Sequence, residues 1–304
     1  MFVDAKREVA ELDNNGWDPR VRVFRVAGEV DVAAVVDREL VTLVDTAHTP
    51  EHAVAVMELL KPVLRERMLM VVNTHADYDH AWGNAAFRGP AAPYPAPILA
   101  SRIAADRLRS PRERSGLADR QREDARFANV RLVPPTVELS GGDCIKGGDL
   151  SLEIIPTPGH TEDHIALWIP EIRTLLAGDA AENPFPCCDE GSSVVELVAS
   201  LRLLRSLKPA VVIPCHGVVS DAALLSRNIA YFEQLESRIR ALLEGRSTSV
   251  AMDARSFDAD LIGYSYGDAI RDQGCNQLVV PAFYREWHRL AIRATAEALI
   301  ADRA

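Results

Sequence analysis

The sequence predicts an α/β fold followed by a largely helical C-terminal stretch. Three observations carry that expectation. Apolar runs of strand length recur from Val21 to Pro214. Amphipathic stretches separate several of them, the clearest being Val194 to Leu207, with leucines at 197, 201, 204 and 207. Four of the apolar runs end in cation-binding side chains rather than in ordinary turn residues.

The strongest of the four is Met68 to Asn84, MLMVVNTHADYDHAWGN. Met68 to Val72 is apolar and long enough for a buried strand. His75, Asp77, Asp79 and His80 follow immediately. Unpaired, such groups repel one another or need costly desolvation, and a bound cation removes both problems. A chain that stays extended past the strand places His75, Asp77 and Asp79 on one side, with His80 following at the turn. Gly83 and Asn84 then lead into a helix expected to begin over residues 85–87. Three later strand ends supply further ligand types. Pro156, Pro158 and Gly159 forbid helix and fix a tight loop that presents His160, with His164 as an outer donor or a structural residue. Thr174 to Ala177 runs into Gly178-Asp179, and Val211 to Pro214 delivers Cys215-His216-Gly217. Each segment alone is ordinary; the set of His75, Asp77, Asp79, His80, His160, Asp179 and His216 is not.

The remaining elements follow in order. Residues 1–20 read as a short helix or an arm. Val21 to Ala27, Asp31 to Val36 and Leu40 to Val44 read as strands, with a turn near Asp37-Arg38. Thr49 is suited to cap a helix over Glu51 to Leu60, with Pro50 at its first position. His48 and His52 flank that turn and are expected on the surface. The proline-rich 89–97 segment is a loop, and Ile98 to Ala100 a short strand. Residues 101–131 mix nine arginines with acids, which predicts solvated helices. The alternative is a mobile lid whose arginines meet an anionic substrate group. Val137 to Leu139 and Leu150 to Ile155 read as paired strands across a turn at Gly141-Gly142, and Ile165 to Ile169 as the next strand. Residues 182–193 form an irregular loop. Its Cys187-Cys188 pair lacks C-x-x-C spacing and reads as neither zinc knuckle nor redox pair. Long helices are expected over Ala222 to Glu244, ending at Gly245, and from Pro281 to about Ala301.

The chain has 304 residues, 48% of them hydrophobic, enough to bury a large core. A net charge of -10 argues against nucleic acid, whose phosphates need clustered Lys and Arg. No apolar run approaches the ~18 residues of a membrane span, and the N-terminus lacks an apolar secretory core. Five scattered cysteines do not suggest a disulfide framework. The expectation is a cytoplasmic, reduced protein acting on a small molecule, with no membrane or nucleic-acid partner.

The run His75-Ala-Asp77-Tyr-Asp79-His80 resembles the HxHxDH signature of the metallo-β-lactamase superfamily, with Asp77 where the second histidine usually stands. PTPGHTEDHIAL, around His160, resembles the glyoxalase-II-like soluble branch. The pattern extends in order from Asp45 to Gly217. The resemblance implies an αβ/βα four-layer sandwich with two metals at one edge, a catalytic domain over residues 1–245, and an extension over 246–304 that packs on it or at a homodimer contact. It assigns one metal to His75, Asp77 and His160 and the other to Asp79, His80 and His216, with Asp179 bridging. It makes Asp45 an outer support and Asp79 the proton carrier. The implied activity is hydrolysis of an ester, thioester, lactone or amide by a metal-bridging hydroxide. Zinc is the expected metal. Asp77, a charged and harder donor, admits iron or manganese. With iron come the alternatives of an oxidoreductase or dioxygenase, as in the superfamily's flavodiiron and sulfur-oxidising branches; a phosphodiesterase is a further alternative.

Overall fold

The computed structural model describes residues 7–188, 192–244, 253–275 and 282–303. The chain forms two compact units. The first comprises Met1–Pro156 and Asp163–Leu176, the second Thr157–Glu162 and Ala177–Ala304.

The first unit holds a seven-stranded sheet whose spatial order is its sequence order: β1 (Val9–Glu11), β2 (Val21–Val26), β3 (Val30–Val36), β4 (Leu40–Val44), β5 (Met68–Val72), β6 (Ile98–Ser101) and β7 (Val137–Leu139). Strands β1 to β4 pair antiparallel, β2 to β4 through short turns and β1 through the longer 12–20 segment, and β4 to β7 pair parallel. Parallel neighbours need long crossovers. Helix α1 (Pro50–Leu64) provides the first, and α3 (Arg102–Arg109) with α4 (Pro111–Glu123) the last. Thr49 caps α1 as expected, its side chain accepting from the His52 N–H.

Three expectations need correction here. The described part of the N-terminal arm includes a strand, because Val9 to Glu11 pairs with Phe24 to Val26 at the sheet edge. Strand β7 does not pair with 150–155. It follows a helical crossover and so lies parallel to β6, while a local hairpin of β8 (Cys144–Lys146) and β9 (Ser151–Pro156) closes instead. This hairpin starts a second, antiparallel sheet that continues through β10 (Ile165–Ile169) to β11 (Thr174–Gly178). Finally, the helix after β5 begins at α2 (Tyr78–Ala81) and passes into a 3-10 turn over Trp82–Ala86, well before residue 85. The chain turns early because it must dock on the end of β4. Thr46 N donates to His80 O and Gly83 N to Ala47 O. A Cβ on Gly83 would lie 2.0 Å from the Thr46 carbonyl oxygen, so only glycine permits that approach.

In the second unit, β12 (Val211–Pro214) runs beside the end of β11, Cys215 N donating to Gly178 O. Helices α5 (Val194–Ser206), α6 (Ala223–Glu244), α7 (Tyr266–Asp272) and α8 (Tyr284–Ala301) complete it. The C-terminal helix α8 packs against α5 and α6. It buries Tyr284, His288, Ala291, Ile292, Thr295, Ala296 and Leu299, a stripe at helical spacing. The expected helix stop at Gly245 and helix start at Pro281 lie outside the described residues. No disulfide joins any of the five cysteines, all of which are described. Among the described residues no helix is long and apolar enough to cross a membrane.

Candidate metal centre

In the first unit the loop leaving β5 carries His75 and Asp77, and the turn of α2 that follows carries Asp79 and His80. His75 and His80 are fully buried, Asp79 is 8% exposed, and the Asp77 side chain is half-buried. The two imidazoles lie side by side, with ring centroids 4.1 Å apart. His75 Nε2 is 3.5 Å from Asp77 Oδ2, and His80 Nε2 is 3.6 Å from Asp79 Oδ1. Those separations exceed a normal N–H···O bond. They match two donors that each lie ~2.0–2.2 Å from one tetrahedral cation.

The outward-facing nitrogens can serve as ligands because the other ring nitrogens are engaged. His80 Nδ1 is 2.9 Å from Asp45 Oδ2, and His75 Nδ1 is 3.0 Å from Thr74 Oγ1. Asp45 is fully buried and also accepts from Thr74 N and Thr74 Oγ1. Its φ of 68° places it in the left-handed region, which Asp tolerates better than most residues. A carboxylate orienting a histidine by its far nitrogen is a recurrent support of metal ligands. Below the loop, Asn73 and Asn84 hydrogen-bond each other through their side-chain amides, and Thr46 Oγ1 and Asn73 Nδ2 both donate to His80 O. His164 packs on His75 with ring centroids 5.0 Å apart.

The second unit holds the other three candidates on three separate loops. His160, Asp179 and His216 are all buried. Asp179 Oδ2 lies 3.6 Å from His160 Nε2 and 3.4 Å from His216 Nε2, so one carboxylate oxygen serves both imidazoles. His160 Nδ1 lies 3.1 Å from the Cys187 carbonyl, which fixes the tautomer that leaves Nε2 to the site. Two glycines make the loops possible. Gly159, at φ 136°, would drive a Cβ to within 2.2 Å of Leu197 N, and Gly217, at φ 101°, to within 2.4 Å of Asn183 O.

Several residues of this environment were not expected from the sequence. Glu182 is fully buried, and with His160 and Asp179 it offers ligand atoms all within 4.8 Å of one another. It accepts from Cys187 N and from Tyr284 Oη at 2.7 Å. Burial first, and then the charge of Asp179, push its carboxyl up to about 7. Tyr284 and Trp287 both belong to α8, and the Trp287 ring stands edge-on to His216 at 6.0 Å. The tail thus reaches the candidate ligands of the second unit, which aromatic content alone could not reveal. His48 and His52, expected at the surface, are buried, because each meets a carboxylate: Glu29 at 3.0 Å and Glu8 at 2.8 Å. Residues 101–131 are solvated helices as expected, except that Arg107 turns inward to Asp77 and Asp163.

A profile of the metallo-beta-lactamase superfamily matches residues 26–216, well over half of the chain. The chain belongs to that superfamily. Its two sheets, its helices and its helical C-terminal extension are those of the metallo-β-lactamase fold. A metallo-beta-lactamase family protein from Thermus thermophilus superposes with a TM-score of 0.63 at 18% identity, covering 98% of this chain and 95% of its own. A metallo-beta-lactamase from Pontibacter korlensis gives 0.56 at 19%, covering 73% and 97%. Among curated relatives, a beta-lactamase-like protein 2 homolog from Caenorhabditis elegans is 33% identical over 31% of this chain and 31% of its own. A hydroxyacylglutathione hydrolase from Rhodopseudomonas palustris is 38% identical over 17% and 20%. The thioesterase pkgB of Emericella nidulans is 27% identical over 48% and 46%. The chain thus spans less than half the length of these curated relatives.

Proposed function

We propose that this superfamily member is a metal-dependent hydrolase of small acyl compounds, with thioesters and esters first among its substrates. The observation that carries the reading is Asp179, one oxygen of which stands within 3.4–3.6 Å of two imidazole nitrogens, as a carboxylate shared between metals requires. The buried imidazole and carboxylate donors, with their far nitrogens engaged, suit divalent cations. Following the family pattern, His75, Asp77 and His160 would hold one ion, Asp79, His80 and His216 the other, and Asp179 both. Bound there, the ions would supply a water acidic enough to ionise near neutral pH and an electrophile for the acyl oxygen. Asp79, in the short helix α2, would carry the proton to the leaving group. Asp45 holds the His80 ring in register.

Two matched relatives are named as a hydroxyacylglutathione hydrolase and a thioesterase, which favours thioesters over the lactones and amides. The net charge of -10 supports a small-molecule substrate rather than nucleic acid, and five cysteines without a disulfide suit the cytoplasm. A homodimer through the tail belongs to the same reading. Zinc is the expected ion, and iron-dependent oxidation is the second reading, kept by Asp77 alone. The test is metal analysis of protein purified without chelator, joined to a panel of acyl thioesters, esters and lactones. About two transition-metal ions per chain and thioester turnover support the proposal. A protein that takes up none, even on reconstitution, overturns it.

A further inference from the structure

Asp77 is the departure from the family pattern, and its surroundings show how the chain accommodates it. A carboxylate in place of an imidazole adds a negative charge and a second donor oxygen. Arg107, in the last turn of α3, meets both consequences. Its Nη2 lies 2.5 Å from Asp77 Oδ1, the oxygen on the far side from His75; Asp77 Oδ2 remains 3.5 Å from His75 Nε2. Its Nη1 bonds the fully buried Asp163. Asp163 in turn accepts the N–H of Ala76 at 2.8 Å, and its carbonyl accepts from Ser101 Oγ at 2.8 Å. The guanidinium fork is therefore held at a fixed angle, with separate nitrogens on two carboxylates. The residue between His75 and Asp77 is pinned by the same network.

We infer that Arg107 is a positioning residue that makes Asp77 act as a one-oxygen, charge-compensated donor, the nearest a carboxylate comes to the imidazole it replaces. This rests on the metal centre proposed above. Arg107 occupies one oxygen and cancels one charge, so the first ion meets a single donor of reduced charge. Zinc tolerates that set. Manganese and iron, which favour harder and more anionic oxygen donors, lose by it. Arg107 is then not available to a substrate anion.

The test is competition binding of zinc and manganese to full-length protein, with Arg107→Met, Arg107→Lys, Asp163→Asn and the double variant Asp77→His/Arg107→Met. Arg107→Met opens both oxygens to the ion and should move the zinc-to-manganese affinity ratio toward manganese by about tenfold or more, the usual range for an outer partner. Arg107→Lys, which keeps the charge but loses the fork, should move it less. The double variant should return to the wild-type ratio, since a neutral imidazole needs no compensation. Asp163→Asn loosens the fork and should move the ratio in the same direction as Arg107→Met but less, whereas a merely structural network would lower the melting temperature and leave the ratio where it was. Should Arg107→Met fail to fold, Arg107→Gln carries the same expectation at a smaller shift. An unchanged ratio in Arg107→Met overturns the inference. So does a variant whose only change is a raised KM for an anionic substrate, because that assigns Arg107 to substrate. Wild-type protein that binds no metal at all defeats the metal centre itself, a distinguishable result.

Discussion

The two units build their donor sets in opposite ways. The first places four candidate ligands on one turn after β5, and it stabilises that crowding with dedicated partners: Asp45 behind His80, Thr74 behind His75, Arg107 beside Asp77. The second draws one residue from each of three loops, and it holds them with backbone geometry. Gly159 and Gly217 allow close approach, and the carbonyl of Cys187 orients His160. A dense local motif needs charge compensation, whereas a dispersed set needs shape. Substitutions of partners should therefore be felt most in the first unit and substitutions of glycine most in the second.

Asp179→Ala should have the largest effect of all, because it removes the oxygen shared by His160 and His216. Metal content should fall well below that of wild type and activity by more than about 100-fold, beyond the loss of an outer partner, with the fold retained. Elemental analysis and circular dichroism together check this. Full metal with full activity would reduce Asp179 to a turn residue.

Gly159→Ala and Gly83→Ala come next. Both would place a methyl against backbone, 2.2 Å from Leu197 N and 2.0 Å from Thr46 O, and Gly159 also has a left-handed φ of 136°. Each should cost about 2–4 kcal/mol, measured by denaturant unfolding. The comparison sharpens at the metal. Gly159→Ala displaces the residue next to His160, whereas in Gly83→Ala the clash falls on Thr46 and His80 keeps its Asp45 and Asn73 bonds. If the two variants lose metal equally, the distinction between shape and compensation fails.

This contrast also explains what the sequence could reveal. The first set of candidate donors is legible as a pattern because its members are contiguous and follow a strand that hydropathy marks. The second was legible only through its punctuation, the prolines and glycines that stop strands before His160, Asp179 and His216. The partners were largely illegible. Arg107 looks like the other arginines of a solvated helix pair, and only the fold brings it to Asp77, thirty residues away in sequence. Glu182 and Tyr284 are 102 residues apart. His48 and His52 were misplaced because their carboxylate partners, Glu29 and Glu8, lie on other elements. The β7 pairing was misread for the same kind of reason, since a helical crossover commits it to β6 while nearer residues close their own hairpin.

Asp77→His tests the compensation directly. The substitution leaves Arg107 facing a neutral ring and bonded to Asp163 alone. Because both side chains of the Arg107–Asp77 pair are about one third exposed, solvent screens the loss, and the cost should be about 1 kcal/mol rather than that of a fully buried pair. Adding Arg107→Met should not add its full single-variant cost, since the charge it removes no longer has its nearer partner. The zinc preference should change less in Asp77→His than in Arg107→Met. Additive costs in the double variant would show that the two residues do not act together.

The smallest effect is expected at His288, where shape rather than charge holds the second unit. Its Nδ1 lies 2.8 Å from Tyr231 Oη and its Nε2 3.0 Å from the Tyr264 carbonyl. The neutral tautomer with the proton on Nε2 satisfies both, donating to the carbonyl and accepting from the tyrosine hydroxyl. Burial lowers its pKa, against the opposing pull of the Tyr264 carbonyl. The sign follows from that shift. Below the ordinary histidine value of 6.5 the unfolded chain takes up a proton that the folded one resists, so stability is present above 6.5 and is lost as pH falls below it. His52 in the first unit shifts the same way, so the total slope is shared and only its change on substitution reports His288. Urea unfolding of wild type and His288→Gln at pH 7.5 and 5.5 should therefore show a smaller loss in the variant. The difference is bounded by about 1.4 kcal/mol per pH unit for one proton. Parallel losses in the two proteins would mean that His288 is protonated in the folded state, and that this buried helix pair, like the first unit, is held by charge.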